Sequence, residues 1–287
     1  MGISFSKVNF SYYVPKKKKL PITYTLKDIN LNIASQGEFI AIVGHTGSGK
    51  STLVQLMNAL ILPTTGEVNI FNNIITNKPK IKLKLVRKKV GLVFQFPEYQ
   101  IFEETVLKDI MFGPKNFDLP NPEEISKEMA KIMGIENLLD KSPFNLSGGQ
   151  MRKVAIAGIL ASNPDILILD EPTAGLDPNA KKELLEFLKK LNTEFQKSII
   201  VITHDMEVVA KYMKRVIVMK QGKVMFDGSK ELLFKQENII KECNLDYPEI
   251  IKVMMGLKEK LHIDFDVYQY NVEDAFHEIE KKIGEGK

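Results

Sequence analysis

The sequence predicts an α/β fold: a mostly parallel sheet flanked by helices, with antiparallel strands before it and a small helical appendix after it. Three observations carry this. Phe39–Val43 is a continuous apolar run, as expected of a strand buried on both faces, and it runs into a glycine-rich turn and then helical spacing. Three more apolar runs of strand length, Ile166–Leu169, Ile199–Ile202 and Val216–Met219, repeat that character. Between the first two of these lies an amphipathic helix with Leu184, Leu185, Leu188 and Leu191 on one face.

The elements follow in order. Alternation of Ile3, Phe5, Val8 and Phe10 predicts a first strand, and Leu26, Ile29, Leu31 and Ile33 a second. Lys16–Lys19, set between Pro15 and Pro21, reads as an exposed loop joining them; contact with anionic lipid or an acidic partner is the alternative. Leu53, Leu56, Met57 and Leu60 predict a helix over Thr52–Leu60. After about Gly228 no buried-strand pattern returns. Ile250, Ile251, Met254, Leu257 and Leu261, then Val272, Ala275, Phe276 and Ile279, keep helical spacing. Residues 1–228 are therefore expected to form one domain and 229–287 a helical unit whose apolar faces pack on the core or on another chain.

Composition bounds the function. A chain of 287 residues with 44% hydrophobic and 26% charged residues buries a sizeable core, which excludes a disordered or collagen-like chain. The single cysteine, Cys243, excludes an internal disulfide. A net charge of +4 is too small to argue for a nucleic-acid partner. No apolar run reaches the roughly 18–20 residues of a membrane span, and no basic start followed by an apolar core marks a secretory signal. The protein is expected to dock on a membrane system rather than span it.

Gly44-His45-Thr46-Gly47-Ser48-Gly49-Lys50-Ser51 fits the spacing of a phosphate-binding loop, G-x-x-x-x-G-K-[ST]. Its glycines let successive backbone N–H groups converge on one cavity, and the following helix aims its N-terminus there. Polyphosphate suits such a concavity; Lys50 is expected on the β- and γ-phosphates and Ser51 on Mg²⁺, with Thr52 completing the ATP-binding run. Asp170 ends the strand Ile166–Leu169, beside the loop, where a carboxylate can hold Mg²⁺ directly or through water. Glu171 follows and can deprotonate an attacking water. His204 stands at the end of another buried strand and can bond a γ-phosphate oxygen. His262 and His277 read as surface or packing residues.

Leu146-Ser147-Gly148-Gly149-Gln150 resembles the signature motif of ATP-binding cassette (ABC) ATPases, and the resemblance extends over about residues 1–228. It implies a P-loop NTPase domain of the ABC type, with a helical subdomain over about residues 96–160. Physically the motif is a second helix N-terminus with exposed amides and a hydroxyl, another anion-binding end. In that family it serves the nucleotide held by a partner chain, so Ser147, Gly148, Gly149 and Gln150 are expected on the partner's ATP. The resemblance also assigns Tyr12 to adenine stacking, with Tyr13 as second choice. Gln95 becomes the lid-loop glutamine near Mg²⁺, and Asp177, in Ala174-Gly175-Leu176-Asp177, the residue communicating across the dimer. Glu171 and His204 match the catalytic glutamate and the switch histidine.

Within that family, four features are similar to the ATPases of energy-coupling factor (ECF) importers. They are His45-Thr46 in the loop, Phe94–Val106, Gly113–Asn116, and the extended signature Gln150–Gly158. The second of the two paralogous ATPases is the better match. That resemblance implies ATP and Mg²⁺ as cofactors. It implies a paralogous ATPase, an integral membrane coupling subunit and substrate-binding membrane subunits as partners, and the cytoplasmic face of the membrane as location. Phe96, Tyr99 and Phe102 are expected in the groove that receives the membrane subunit's coupling helix, or else as packing between core and helical subdomain. The alternatives are the ATPase of a homodimeric cobalt, nickel or other importer and, more distantly, a soluble ABC ATPase acting on DNA or ribosomes. The last usually carries a long coiled-coil insertion, and no heptad run separates Gly44 from Ser147.

Overall fold

The computed structural model describes residues 2–15 and 21–284; the Lys16–Lys19 loop lies outside the described residues. Two sheets and a shell of helices form the body. Strands β1 (Ile3–Phe10), β2 (Leu26–Ile33), β4 (Thr65–Ile70) and β5 (Asn73–Ile75) make an antiparallel sheet in the order β2-β1-β4-β5. The second sheet runs β10-β9-β3-β8-β7-β6. Its members are β3 (Phe39–Val43), β6 (Val90–Val93), β7 (Ile166–Asp170), β8 (Ser198–Ile202), β9 (Arg215–Lys220) and β10 (Lys223–Ser229). All neighbours pair in parallel except β10, which folds back antiparallel on β9 at the edge.

The continuous apolar strands divide their side chains between two cores, because successive residues point to opposite faces. Phe39, Ala41 and Val43 face one core with Leu167, Leu169, Ile199 and Val201. Ile40 and Ile42 face the other with Ile166, Ile168, Ile200 and Ile202. The antiparallel sheet closes the second core, and α1 (Lys50–Met57) contributes Leu53, Val54, Leu56 and Met57 to it. Helix α2 (Leu83–Lys89) adds Val86. The first core is roofed by α3 (Val106–Asn116), α4 (Pro122–Ile132), α5 (Gly148–Leu160), α6 (Pro178–Thr193) and α7 (Met206–Tyr212).

Two strand and helix expectations need correction. The first helix spans Lys50–Met57, not Thr52–Leu60: Ala59 takes a left-handed backbone (φ 53°) and Leu60 is exposed. The sheet also holds two strands outside the predicted set. One is β6, four residues long and interrupted by Gly91; the other is β10, an edge strand whose residues are only partly buried, Val224 against one core and Met225 and Phe226 against the other.

After β10 come α8 (Lys230–Phe234), α9 (Glu237–Glu242), α10 (Glu249–Leu261) and α11 (Val272–Gly284). Leu233, Phe234, Ile240, Cys243 and Ile251 join the first core. Met254, Phe265 and Ala275 form a small cluster of their own. Val253, Leu261, Val272 and Phe276 are exposed.

Candidate nucleotide-binding and hydrolysis site

Four adjacent parallel strands deliver the site from one edge. β3 runs into the phosphate loop, β7 ends on Asp170, β8 leads to His204, and β6 leads to Gln95. Parallel registry forces these four carboxyl ends to the same side of the sheet, which is where ligands bind in such folds.

The loop needs its glycines. Gly44, Gly47 and Gly49 have φ of 142°, 78° and 104°. At Gly44 a Cβ would stand 2.2 Å from the Met219 carbonyl oxygen, so β9 packs directly on the loop's first turn. Gly222 in the β9–β10 hairpin reinforces this, its N–H donating to the Ser48 carbonyl at 2.9 Å. Gly49 caps α1 without a side chain, and no acidic residue occupies the helix's first turn, so its amides are not neutralised by the chain. The buried Ser48 hydroxyl has no hydrogen-bond partner among the described residues. His45, Thr46 and Gly47 are exposed.

Lys50 Nζ donates to the carbonyls of Gly44 (2.7 Å) and His45 (3.1 Å). Burial lowers its pKa, while Glu171 and Asp170 oppose that shift. Burial likewise raises the pKa of Asp170, against a hydrogen bond from Ser51 and the charge of Lys50. Serine hydroxyl and aspartate are hard oxygen donors of the kind Mg²⁺ takes. Among the described residues no group of three or more His, Cys, Asp or Glu could hold a metal. Ser51 and Asp170 are hydrogen-bonded to each other and present two such oxygen donors side by side.

Glu171 is placed by an unusual backbone. Its φ is 49°, and its N–H continues the β7–β8 ladder by donating to the Ile202 carbonyl at 3.0 Å. A left-handed glutamate is a local strain that persists only where its surroundings fix it. The turn directs Glu171 Oε1 to His204 Nδ1, 2.9 Å away. Glu171 is 14% exposed at its side chain and His204 79%. The sequence-predicted base and switch are thus in direct contact, one sheltered and one facing outward.

Tyr12 lies beside the start of α1: its hydroxyl and the Thr52 hydroxyl are 3.0 Å apart, and its ring meets Phe10 edge-on at 4.8 Å. The residue is exposed, as stacking on a base requires. Tyr13 is exposed too. Gln95 is exposed two residues beyond β6, next to the end of β7.

The signature segment forms the N-terminus of α5. Ser147 and Gln150 make a reciprocal capping box: Ser147 N–H donates to Gln150 Oε1 (3.0 Å), and Gln150 N–H to Ser147 Oγ (3.4 Å). Gly148 and Gly149 are exposed, and a Cβ on either would meet nothing within 4 Å. This helix end opens outward. Asp177 caps α6, accepting from the N–H groups of Asn179 and Ala180. Sequence reasoning missed the link between these two regions. Arg152 Nη1 donates to the Pro172 and Ala174 carbonyls at 3.0 and 2.9 Å, fastening α5 to the turn after Glu171.

A groove of about 420 Å³ lies beside this helical subdomain, lined by Phe94, Phe102, Phe112, Phe117 and Asp109 among others. Phe102 lines it and meets Phe112 edge-on at 4.8 Å, but Phe96 and Tyr99 do not line it. They pair with each other at 5.9 Å, both exposed, Tyr99 within the turn Pro97–Gln100 and Phe96 just before it. Asp109 holds the Phe102 loop by accepting from the N–H groups of Phe102 and Glu103.

The chain matches the ABC transporter family over residues 26–174. It is 45% identical over its whole length to the energy-coupling factor transporter ATP-binding protein EcfA2 of Bacillus cereus, 98% of which is covered. The protein of the same name from Bacillus subtilis is 48% identical over 88% of this chain and 93% of its own. Among solved structures, cbiO1 from Clostridium perfringens, part of the ABC transporter complex cbiONQ, superposes with a TM-score of 0.71. It is 37% identical, over 88% of this chain and 98% of that one. The dimeric ATP-binding cassette MJ0796, bound to ADP and Pi after hydrolysis, superposes at 0.69 with 35% identity, over 79% and 98%. The chain therefore belongs to the ABC transporter family, as an ATP-hydrolysing subunit of an importer of the energy-coupling factor type.

Proposed function

We propose that the chain pairs with a paralogous ATPase so that each cassette closes on the other's ATP, and that the closing moves an integral membrane subunit. The observation that carries this is the division of the anion-binding ends. The phosphate loop is closed in by Met219 and Gly222, whereas the signature end of α5 points outward, stripped of side chains at Gly148 and Gly149. One triphosphate needs only one of them.

In this reading Tyr12 stacks on adenine, and the loop amides from Gly44 to Ser51 with Lys50 hold the phosphates. Ser51, Asp170 and Gln95 would hold Mg²⁺, which would neutralise negative charge on the phosphates. Glu171 takes the proton of the attacking water, and His204, hydrogen-bonded to it, keeps the carboxylate oriented and reads the γ-phosphate. Ser147, Gly148, Gly149 and Gln150 serve the partner's nucleotide, and Asp177, through α6, reports closure across the dimer. Loss of the γ-phosphate removes the differential affinity that favours the closed state, and the dimer reopens. Residues 229–287 supply helical contacts with the second ATPase, an assignment supported by the exposed Val253, Leu261, Val272 and Phe276.

No helix of the described residues is long and apolar enough to cross a membrane. The chain is placed at the cytoplasmic face, held there by the groove around Phe102, with Phe96 and Tyr99 at its approach. Cargo specificity then lies in separate substrate-binding membrane subunits, for vitamins or metal ions. The test is co-purification of the tagged chain from native membranes, with partners identified by mass spectrometry. A different ABC ATPase with one shared integral membrane subunit is the expected result. Copies of this chain alone with a dedicated permease would replace the proposal with a homodimeric importer.

A further inference from the structure

His204 is followed at once by α7, and α7 is tied to the C-terminal helices at both ends. At its start, Asp205 caps the helix, accepting from the N–H groups of Glu207 (3.0 Å) and Val208 (3.2 Å). The Asp205 N–H in turn donates to Thr203 Oγ1 at 3.0 Å, so the backbone on both sides of His204 is fixed. Glu207 then reaches away from the sheet: its Oε1 accepts from the N–H of Glu249 at 2.6 Å, the first residue of α10.

That bond fills a gap in α10. The residue at the capping position is Pro248, which has no side-chain acceptor and makes no cap. The first amides of a helix lack partners within it. Glu207, from another helix, supplies the missing acceptor as a charged one, the stronger kind. At the other end of α7, Lys230 Nζ donates to the Ala210 carbonyl and sits 5.0 Å over the Tyr270 ring. Tyr270 packs at 5.9 Å on Phe234 of α8, which meets Tyr247 at 6.4 Å. Sideways, Lys181 pairs with Asp205, and Tyr212 donates to Glu186, both partners lying on α6.

We propose that Glu207 is a positioning residue for ATP hydrolysis: by capping α10 it couples the setting of the C-terminal helices to α7, and so to the His204–Glu171 pair. The proposal rests on the roles given to His204 and Glu171 above. A displacement of α10, such as one imposed by a second ATPase gripping these helices, pulls on the first turn of α7 three residues from His204.

The test is steady-state ATPase of the full chain, co-purified with its partners. Glu207→Ala is expected to lower kcat about three- to tenfold, as loss of one charge-assisted hydrogen bond allows, with KM for ATP unchanged. Glu207→Gln, whose amide oxygen accepts the same N–H, restores kcat to within about twofold of wild type. In a His204→Ala background, Glu207→Ala should add no further loss. Hydrogen exchange at the start of α10 reports the broken cap independently. Faster exchange there with wild-type kcat overturns the proposal and leaves the contact a mere fastening. Additive losses in the double variant overturn it as well. Wild-type turnover in His204→Ala alone refutes the switch role itself, and the proposal falls with it. If Glu207→Ala does not fold, Lys230→Met cuts the other tie and keeps the stem over Tyr270. A fall in kcat at unchanged KM is then expected, and a wild-type kcat refutes the coupling.

Discussion

Glu171→Gln isolates proton abstraction from everything else the residue does. Gln is isosteric, imposes the same strain at φ 49°, and can keep the contact with His204 Nδ1 at 2.9 Å. The N–H bond to Ile202 is backbone and does not change. What disappears is a carboxylate basic enough to take a proton from water. General-base catalysis contributes about 10²- to 10⁴-fold, or about 2.7–5.5 kcal/mol of barrier. ATP binding moves the other way, because one of the two carboxylates interacting with Lys50 is neutralised and repels the polyphosphate less. The expected variant melts like wild type, binds ATP at least as tightly, and releases phosphate at least about a hundredfold more slowly. Phosphate release under saturating ATP and Mg²⁺, together with equilibrium binding of a fluorescent ATP analogue, makes the measurement. A kcat near wild type would remove Glu171 from the chemistry. Lost ATP binding would show that the carboxylate's main work is holding the loop.

Two further outcomes follow from the geometry. Gly44→Ala should cost about 2–5 kcal/mol and abolish nucleotide binding, since it adds a clash with the Met219 carbonyl to a backbone only glycine adopts easily; thermal unfolding and ATP binding both read it. Asp205→Ala should cost about 1–2 kcal/mol at pH 7 through the lost cap of α7. Burial works against the Asp205 carboxylate, but the bonds from Lys181, Val208 and Glu207 outweigh it and hold its pKa below the ordinary range. Its stabilisation is therefore present above the unfolded carboxylate pKa, about 3.9, and is lost as pH falls through the lower folded value. Melting curves of wild type and variant should begin to converge as pH falls below about 4 and meet only below the lower folded pKa.

What the sequence made legible was whatever is encoded locally. The phosphate loop is a fixed spacing of glycines before a lysine, and both Gly44 and Gly49 prove to sit where a side chain would strain the backbone or collide. β3, β7 and β8 are buried on both faces, so an apolar run marks them. β10 is half-covered and its residues Lys223, Asp227 and Ser229 dilute the pattern. Leu60 extended the helical periodicity past the true end of α1 because spacing alone does not register the left-handed turn at Ala59. The contacts that join parts of the site are invisible at this level. Arg152 reaches Pro172 across 20 residues and Glu207 reaches Glu249 across 42, with no periodicity to announce either. The groove shows the same limit: Phe96, Tyr99 and Phe102 are equivalent as letters, and only folding puts Phe102 against Phe112.

Cys243 lies in the core with Phe234, Ile240 and Ile251, and burial raises the pKa of its thiol. Little thiolate exists there at neutral pH, and reagents reach it poorly. The natural chain is in effect silent to maleimides and spin labels without any cysteine being removed. A single cysteine introduced beside the signature at Asn145, which is exposed, would be the sole reactive thiol of the chain. Opening and closing of the ATPase pair can then be followed as a distance from this label to one on the partner, with this chain changed at a single position.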